Sequence, residues 1–278
     1  MSGIITPTGP ATVLHRLALG VEIRDALLDR FVSSPVRVGL QTPAPSTRLR
    51  PRDWPCRDLE ACGPARFRLR HVPALPSAPV LRLDDVSRRF VPRRFSVHPW
   101  PVATLDETTG QPYIAVAARL LRAWLWPGAA YPLPRGATAI RGRITHDGLP
   151  ARWARVTAIG PTNLVAGRAH VDDRGEFLLV VTEVGQNPLQ STVSLRLRVR
   201  APAAQVAADP ADRCADLTVE DVPRSTAPPL PVERDNDVLR GVAAPPGHVT
   251  DATGPRLLTV TVGAELTLTD DIVFVPQP

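Results

Sequence analysis

The chain has 278 residues and a formal net charge of +6 at pH 7, from 33 basic and 27 acidic side chains. Hydrophobic residues make up 44% of it, which is enough to bury a core and excludes intrinsic disorder of the whole chain. It contains no lysine, and its arginines are spread through apolar segments. This distribution argues against sequence-specific nucleic-acid binding, which calls for clustered basic residues with aromatics between them.

The expected compartment is the cytoplasm, or a particle assembled there. The segment MSGIITPTGPATVLHRLALG has no basic stretch followed by a long apolar core, and no run approaches the roughly 18 apolar residues of a membrane helix. Cys56, Cys62 and Cys214 contain no CxxC pair. A disulfide between Cys56 and Cys62 is an alternative, but free thiols are the simpler expectation.

Alternation of apolar and polar residues, bounded by Pro, Gly, Asp and Asn clusters, predicts a series of short strands. The predicted strands are Leu17–Arg24, Val36–Leu40, Arg66–Arg70, Ile140–Thr145, Ala154–Ile159, Glu176–Val181, Thr192–Arg200, Leu257–Val262 and Leu266–Leu268. Many short strands with little helical periodicity predict an all-β fold of small antiparallel β-sandwich modules.

The clearest of these strands is TVSLRLRVR, residues 192–200. Its apolar residues alternate with Arg196, Arg198 and Arg200, which a strand places together on one face. These arginines are candidates for contact with an acidic partner, and a solvated sheet face explains the pattern equally well.

A faint internal similarity divides the chain. Gly20–Leu40 and Gly142–Ile159 each consist of a strand, an Asp-containing turn and an alternating strand. This similarity predicts two related sandwich modules, at about 11–105 and 136–202.

The segment between the modules, 106–135, is rich in Trp and Pro. Its stretch PYIAVAARLLRAWLW, Pro112–Trp126, favours a helix by propensity, although we prefer an extended connector. Trp124 and Trp126 are predicted to make interdomain or partner contacts. Tryptophan is common in both settings.

The C-terminal part of the chain begins with a Pro- and Ala-rich stretch, 203–237, which predicts an extended linker or arm. The strands in 238–278 either complete the second sandwich or dock on a neighbouring subunit. The second alternative would produce a homo- or hetero-oligomer through this arm.

The stretch Ile144–Val181 concentrates ionisable residues that could suggest an active site: His146, Asp147, His170, Asp172, Asp173 and Glu176. Asp147-Gly148 and Asp173-Arg174-Gly175 are also typical tight turns that need left-handed backbone. We therefore expect Gly148 and Gly175 at positive φ. His146 and His170 are expected in partly exposed loops, and a shared metal site is the less favoured alternative because their spacing is not that of helical zinc ligands.

The same region resembles the carboxypeptidase regulatory-like family, a transthyretin-like β-sandwich. The matching residues are Gly142, Gly148, Pro150, Ala154, Val156, Asp172, Gly175 and Phe177. The resemblance implies a scaffolding or binding domain without peptidase activity, since the His-x-x-Glu zinc ligands of the catalytic domain are absent from the sequence. The whole layout, LWPGAAYPLPRGATAIRGRI included, is similar to accessory components encoded with phage-tail-like contractile injection particles.

Other catalytic and cofactor motifs are missing from the sequence, including Gly-x-Ser-x-Gly, the phosphate-binding loop and Gly-x-Gly-x-x-Gly. The pairs Asp84-Asp85 and Asp270-Asp271 could suggest calcium, but turn or strand capping is preferred because neither has a glycine-punctuated ladder of aspartates. We therefore assign no catalytic, cofactor or metal residue.

Trp153 alternates with Ala154 and is expected to point away from the core. With Arg152 and Arg155 it forms a predicted contact surface. The sequence thus predicts a non-enzymatic structural or adaptor protein of a larger assembly. The alternative is a carbohydrate- or cell-surface-binding module, suggested by the five tryptophans.

Overall fold

The computed structural model describes residues 17–41, 54–72, 75–105, 114, 116–183, 191–224 and 236–277. Within these ranges the fold is nearly all β, as predicted, and its strands form four sheets. The sheets face each other in pairs across two large hydrophobic cores, and the first core also includes Ala139, Leu178 and Val180 from a third sheet. No helix in the described ranges is long and apolar enough to cross a membrane.

The first sandwich has one sheet built around the first strand. Its strands are β1 (Leu17–Asp25), β2 (Arg30–Phe31), β5 (Glu60–Gly63), β6 (Arg66–Arg70) and β9 (Leu120–Leu125). The strands of the facing sheet are β3 (Val36–Gln41), β4 (Cys56–Asp58), β7 (Val80–Asp85), β8 (Arg93–Val97) and β16 (Val219–Val222). Ile23, Leu81 and Phe95 lie fully buried between the two sheets.

The second sandwich pairs a sheet around β10 with a sheet around β15. The first contains β10 (Ala139–His146), β11 (Leu149–Pro150), β14 (Glu176–Val180), β19 (Glu265–Thr267) and β20 (Ile272–Val273). The second contains β12 (Arg155–Ile159), β13 (Val165–His170), β15 (Thr192–Pro202), β17 (His248–Thr250) and β18 (Arg256–Thr261). The helical elements are α1 (Val102–Leu105), a 3-10 turn (Val116–Arg119) and α2 (Asp237–Arg240).

Each strand predicted from apolar alternation is present, with ends that move by one or two residues. In β15, Val193 and Leu195 are buried while Arg198 and Arg200 are exposed, so the period of two does separate a core face from an outer face. The three cysteines are free thiols, as expected, and Cys56 and Cys62 form no disulfide.

The stretch Leu120–Leu125 forms a strand, the extended conformation that its sequence left open beside a helix. This β9 pairs in parallel with β1 from Gly20↔Leu120 to Asp25↔Leu125. Ala123 and Leu125 are fully buried in the first core, and this packing outweighs the helix propensity of the segment. Of the rest of the predicted helix, Pro112, Tyr113 and Ala115 lie outside the described residues.

The predicted arm differs from the structure as well. Residues 203–224, called the crossing segment below, return to the first sandwich, where β16 pairs in parallel with β8. Of the remainder, 225–235 lies outside the described residues. The C-terminal strands pair within the same chain, β17 and β18 with β15, and β19 and β20 with β10. In the described part of the chain, the C-terminal strands thus lie in the two sheets of the second sandwich.

The two turns predicted in the acidic stretch are confirmed. Gly148 has φ 76° and Gly175 has φ 79°, and Asp147 is also left-handed at 51°. The Asp172 carboxylate accepts the backbone N–H groups of Arg174, at 2.8 Å, and of Glu176, at 3.0 Å. Asp172 therefore shapes the turn through its side chain.

The two glycines should respond differently to alanine. A Cβ on Gly175 would lie 2.5 Å from the Ile144 carbonyl oxygen, whereas a Cβ on Gly148 would meet nothing within 4 Å. We expect Gly148→Ala to lower the free energy of unfolding by about 1–2 kcal/mol, the usual cost of left-handed backbone. Gly175→Ala should cost more than about 3 kcal/mol because the clash adds to the strain. Denaturant unfolding measures both, and equal losses would contradict this geometry.

Candidate functional site

A buried arginine ties α2 and β9 to the sheet of β8 and β16. Arg93 on β8 is 0% exposed. Its Nε and Nη2 donate to the two carboxylate oxygens of Glu220 at 2.9 and 2.7 Å. Its Nη1 donates to the carbonyls of Trp124, at 2.9 Å, and Leu239, at 2.6 Å, and its Nη2 donates to that of Val238. All five guanidinium N–H groups are thus used, which is what a fully buried arginine requires.

The end of α2 is held between the two sandwiches. The Trp126 Nε1–H, next to β9, donates to the Arg240 carbonyl at 2.8 Å, and the His170 Nε2–H, on β13, donates to the Gly241 carbonyl at 2.9 Å. Gly241 caps the helix with φ 68°. A Cβ at Gly241 would lie 2.6 Å from His170 Cε1, so the close approach of the helix end depends on glycine.

The basic side chains near the end of α2 outnumber the acidic ones. Arg155 donates to Glu220 at 3.4 Å, and burial lowers the pKa of its guanidinium to about 10. Burial, followed by the charges of Arg155 and Arg93, holds the pKa of His170 well below its usual value. Burial likewise lowers the pKa of His248, which donates to a backbone carbonyl at 3.1 Å. Both histidines are therefore neutral hydrogen-bond donors at pH 7.

The expectation that His146 and His170 occupy partly exposed loops is wrong. Both end strands, β10 and β13, and only 5% and 1% of their surfaces are exposed. His146 lies edge-on against Phe274. In the described part of the chain, no group of three or more His, Cys, Asp or Glu side chains is placed to hold a metal ion.

The predicted outward orientation of Trp153 is also corrected. Trp153 is 1% exposed and packs with Val91, Cys214 and Leu217, which belong to the first sandwich and the crossing segment. Its backbone is left-handed, with φ 64°. This conformation is uncommon for a large side chain, and strict alternation from Ala154 does not apply at such a residue.

The other residues predicted to contact a partner, outside β15, are also enclosed by the rest of the chain. Arg152 pairs with Asp216 of the crossing segment at 2.7 Å, and Arg155 lies in the Glu220 network. Trp124 is buried in the first core, and Trp126 is half-buried. These four side chains therefore make contacts inside the molecule, where the chain folds back over them.

The acidic turn has a second role that the sequence did not reveal. Asp173 pairs with Arg88 of the first sandwich at 2.7 Å, and Arg213 of the crossing segment lies between Asp173, at 3.5 Å, and Asp84. Asp85 instead caps its own turn, accepting the Ser87 backbone N–H at 2.9 Å. Partners so distant in sequence leave no local pattern that could have identified them.

One surface keeps its predicted exposure. Register pairs Thr157 on β12 with Arg168 on β13 and with Arg198 on β15, so these side chains share the outer face of the sheet. Arg196 and Arg200 lie on the same face by alternation along β15. We call these four arginines the basic face. Arg196 donates to the Asn163 side chain.

The basic face lacks negative partners among the described residues. None of them places a carboxylate within 4.0 Å of Arg168, Arg198 or Arg200. By contrast, Arg37 at the surface of the first sandwich pairs with Asp58 at 3.2 Å. The basic face is therefore the part of the predicted contact set that is free to meet another molecule.

Comparison with known proteins adds little to this geometry. No family model matches the chain, and no curated protein is significantly similar to it. A Streptococcal ancillary pilin matches 93% of this chain and 62% of its own, with 9% identity and a TM-score of 0.23. A leucine-rich repeat protein from Bacteroides thetaiotaomicron VPI-5482 matches 92% of this chain and 26% of its own, with 9% identity and a TM-score of 0.22. The chain thus spans less than two thirds of either structure.

The Arg93 network should contribute strongly to the stability of the fold. Arg93→Met leaves the buried Glu220 carboxylate without its bidentate partner, so the free energy of unfolding should fall by about 3–5 kcal/mol. The matched control is Arg143→Met, which removes a solvent-exposed pair with Asp271 at 3.5 Å and should cost less than about 1 kcal/mol. Denaturant unfolding of both variants measures the difference. Similar small losses would show that the network does not stabilise the packing of α2 and β9 on the sheet of β8 and β16.

The buried histidines should make the fold acid-sensitive. Because the pKa of His170 is lower in the folded chain than its ordinary 6.5, the unfolded chain takes up a proton first as pH falls. Stability should therefore decrease below about pH 6.5, by up to about 1.4 kcal/mol per pH unit for each such histidine. His248 acts in the same direction, and the lowered pKa of Glu220 matters only below its ordinary 4.5.

The variant His170→Gln keeps a side-chain N–H for the Gly241 carbonyl but cannot titrate. Between about pH 7 and pH 5, its unfolding free energy should decline less steeply than that of the unaltered chain. Urea unfolding at a series of pH values gives both slopes. Identical slopes would mean that His170 takes up its proton equally in both states.

Proposed function

We propose that this chain is a non-enzymatic structural or adaptor protein that binds an acidic surface of a partner protein through its basic face. The observation that carries the proposal is the grouping of Arg168, Arg196, Arg198 and Arg200 on one outer face of the sheet around β15. Arg198 and Arg200 are exposed and have no carboxylate within ion-pair distance in the described residues, whereas Arg37 is paired with Asp58.

The position of these arginines favours binding over simple solvation. Their strand, β15, is paired to β12 on one side and to β17 and β18 on the other, so its outer face is a firm platform. Arg196, Arg198 and Arg200 lie at alternate positions of one strand, so their like charges repel each other, and an acidic partner relieves that repulsion. Arginine also suits interfaces because its planar fork binds carboxylates in a bidentate manner.

The nature of the partner is proposed from the family resemblance. Carboxypeptidase regulatory-like domains imply scaffolding, and the overall layout is similar to accessory components of phage-tail-like contractile injection particles. We propose that the partner is another subunit of such an assembly. The coupling of the two sandwiches through the Arg88–Asp173 and Arg155–Glu220 pairs suits a spacer that must hold its shape within a particle.

The test compares two triple variants in pull-downs from the native host, with partners identified by mass spectrometry. Arg196→Ser, Arg198→Ser and Arg200→Ser together remove the exposed stripe of β15. We expect sheath, tube or baseplate subunits to be recovered with the unaltered chain, and their recovery to fall about tenfold or more with this variant, as charge-assisted contacts are lost.

The control variant removes the same number of charges from the first sandwich, by Arg37→Ser, Arg66→Ser and Arg68→Ser. These arginines form surface ion pairs with acidic residues of this chain, so recovery should not change. A monomeric chain that recovers no such subunit and binds polysaccharide would overturn the proposal. That result would favour the carbohydrate- or cell-surface-binding alternative.

A further inference from the structure

A cleft of about 370 Å³ lies beside α2, where the two sandwiches meet. Residues of the first sandwich and its β9 end form one side, and β13 and the end of α2 form the other. The lining residues are Ala26, Asp29, Trp124, Trp126, Arg168, Arg240 and Val242. The cleft therefore combines two guanidinium groups with an indole-rich wall.

The two arginines come from different elements and line the same cleft. Arg168 is on β13 and Arg240 ends α2, and no described carboxylate lies within ion-pair distance of either. Burial and then the charge of Arg240 lower the pKa of Arg168, and the charge of Asp237 has a smaller, opposite effect. Two cations that destabilise each other form a place where an anion is favoured.

The acidic residue in the lining does not neutralise this pair. The Asp29 carboxylate is paired with Arg24 at 3.1 Å and accepts the Trp124 Nε1–H at 3.2 Å. Its charge is thus matched by a cation outside the cleft. It also orients the Trp124 indole, which lines the apolar wall.

The cleft is held in shape by the contacts between the sandwiches. Trp126 donates to the backbone carbonyl of Arg240, and His170 donates to that of Gly241. Arg168 lies on β13, which pairs with β12 from Val165 to His170. The backbones that carry both guanidinium groups are therefore fixed, which lowers the entropy lost when a ligand binds.

We propose that this cleft binds a small ligand in which a carboxylate or phosphate group is attached to an apolar, ring-like body. The oxyanion lies between Arg168 and Arg240, whose forked donors match its oxygens. The body lies against Trp124 and Trp126, where its apolar surface leaves water. This inference does not depend on the proposed partner protein, since a free small molecule fulfils it.

The test is calorimetric titration of the full chain with benzoate, phenyl phosphate and phenol, which share a ring and differ in the charged group. Benzoate or phenyl phosphate should bind with millimolar or tighter affinity that weakens as salt is added, and the better of the two identifies the oxyanion. Phenol should bind at least about tenfold more weakly, because it offers no charge to the arginines.

Three variants locate the binding. Arg168→Ser and Arg240→Ser, both at side chains that are at least partly exposed, should each weaken the better ligand about tenfold or more. Arg198→Ser is the matched control, since it lies on the same sheet face but does not line the cleft, and it should leave this affinity unchanged.

The inference is overturned if neither anion binds at about 10 mM, if phenol binds equally well, or if both cleft variants bind like the unaltered chain. The results that would refute ligand binding in the cleft differ from those that would refute the proposed adaptor function. Loss of partner capture in the β15 variant together with no anion binding would refute only the cleft, and anion binding without partner capture would refute only the adaptor role.

Discussion

The bidentate pair between Arg93 and Glu220 is the buried interaction that holds α2 and β9 against the sheet of β8 and β16. Arg93 begins β8 and Glu220 lies on β16, and the remaining donors of Arg93 reach the carbonyls of α2 and β9. Arg155 of the second sandwich reaches the same carboxylate at 3.4 Å. A buried charge is tolerated only when every donor has a partner. The requirement therefore fixes several distant segments at once, and the close approach of α2 to His170 follows from it.

Arginine without lysine has a structural meaning in this chain. The buried network needs a planar fork that can serve a carboxylate and several carbonyls together, and a lysine ammonium could not supply five donors in one plane. On the outer face of β15 the same side chain is exposed, and the described residues place no carboxylate beside Arg198 or Arg200. Burial and the presence of a carboxylate thus decide whether an arginine holds the fold together or faces outward.

Apolar alternation was a good guide wherever a strand has one face on a core. It located β15 and β10 and placed Arg198 on the outer face, and turn chemistry identified Gly148 and Gly175. It failed at Trp153, because a left-handed residue breaks the alternation. It also failed to assign β9, whose parallel partner β1 lies about a hundred residues earlier, since a parallel pair needs a long crossover that no local pattern records.

The sequence by itself determined the all-β class, most strand positions, the tight turns and the stripe of arginines on β15, since each depends on neighbours a few residues apart. Tertiary structure alone decided that the predicted arm returns to the first sandwich, that the C-terminal strands complete the second, and that Arg152, Trp153 and Arg155 are enclosed. It also brought Arg168 beside Arg240. The physical reason is that burial and charge pairing depend on which distant segments meet, and the free energy of that meeting belongs to the whole fold.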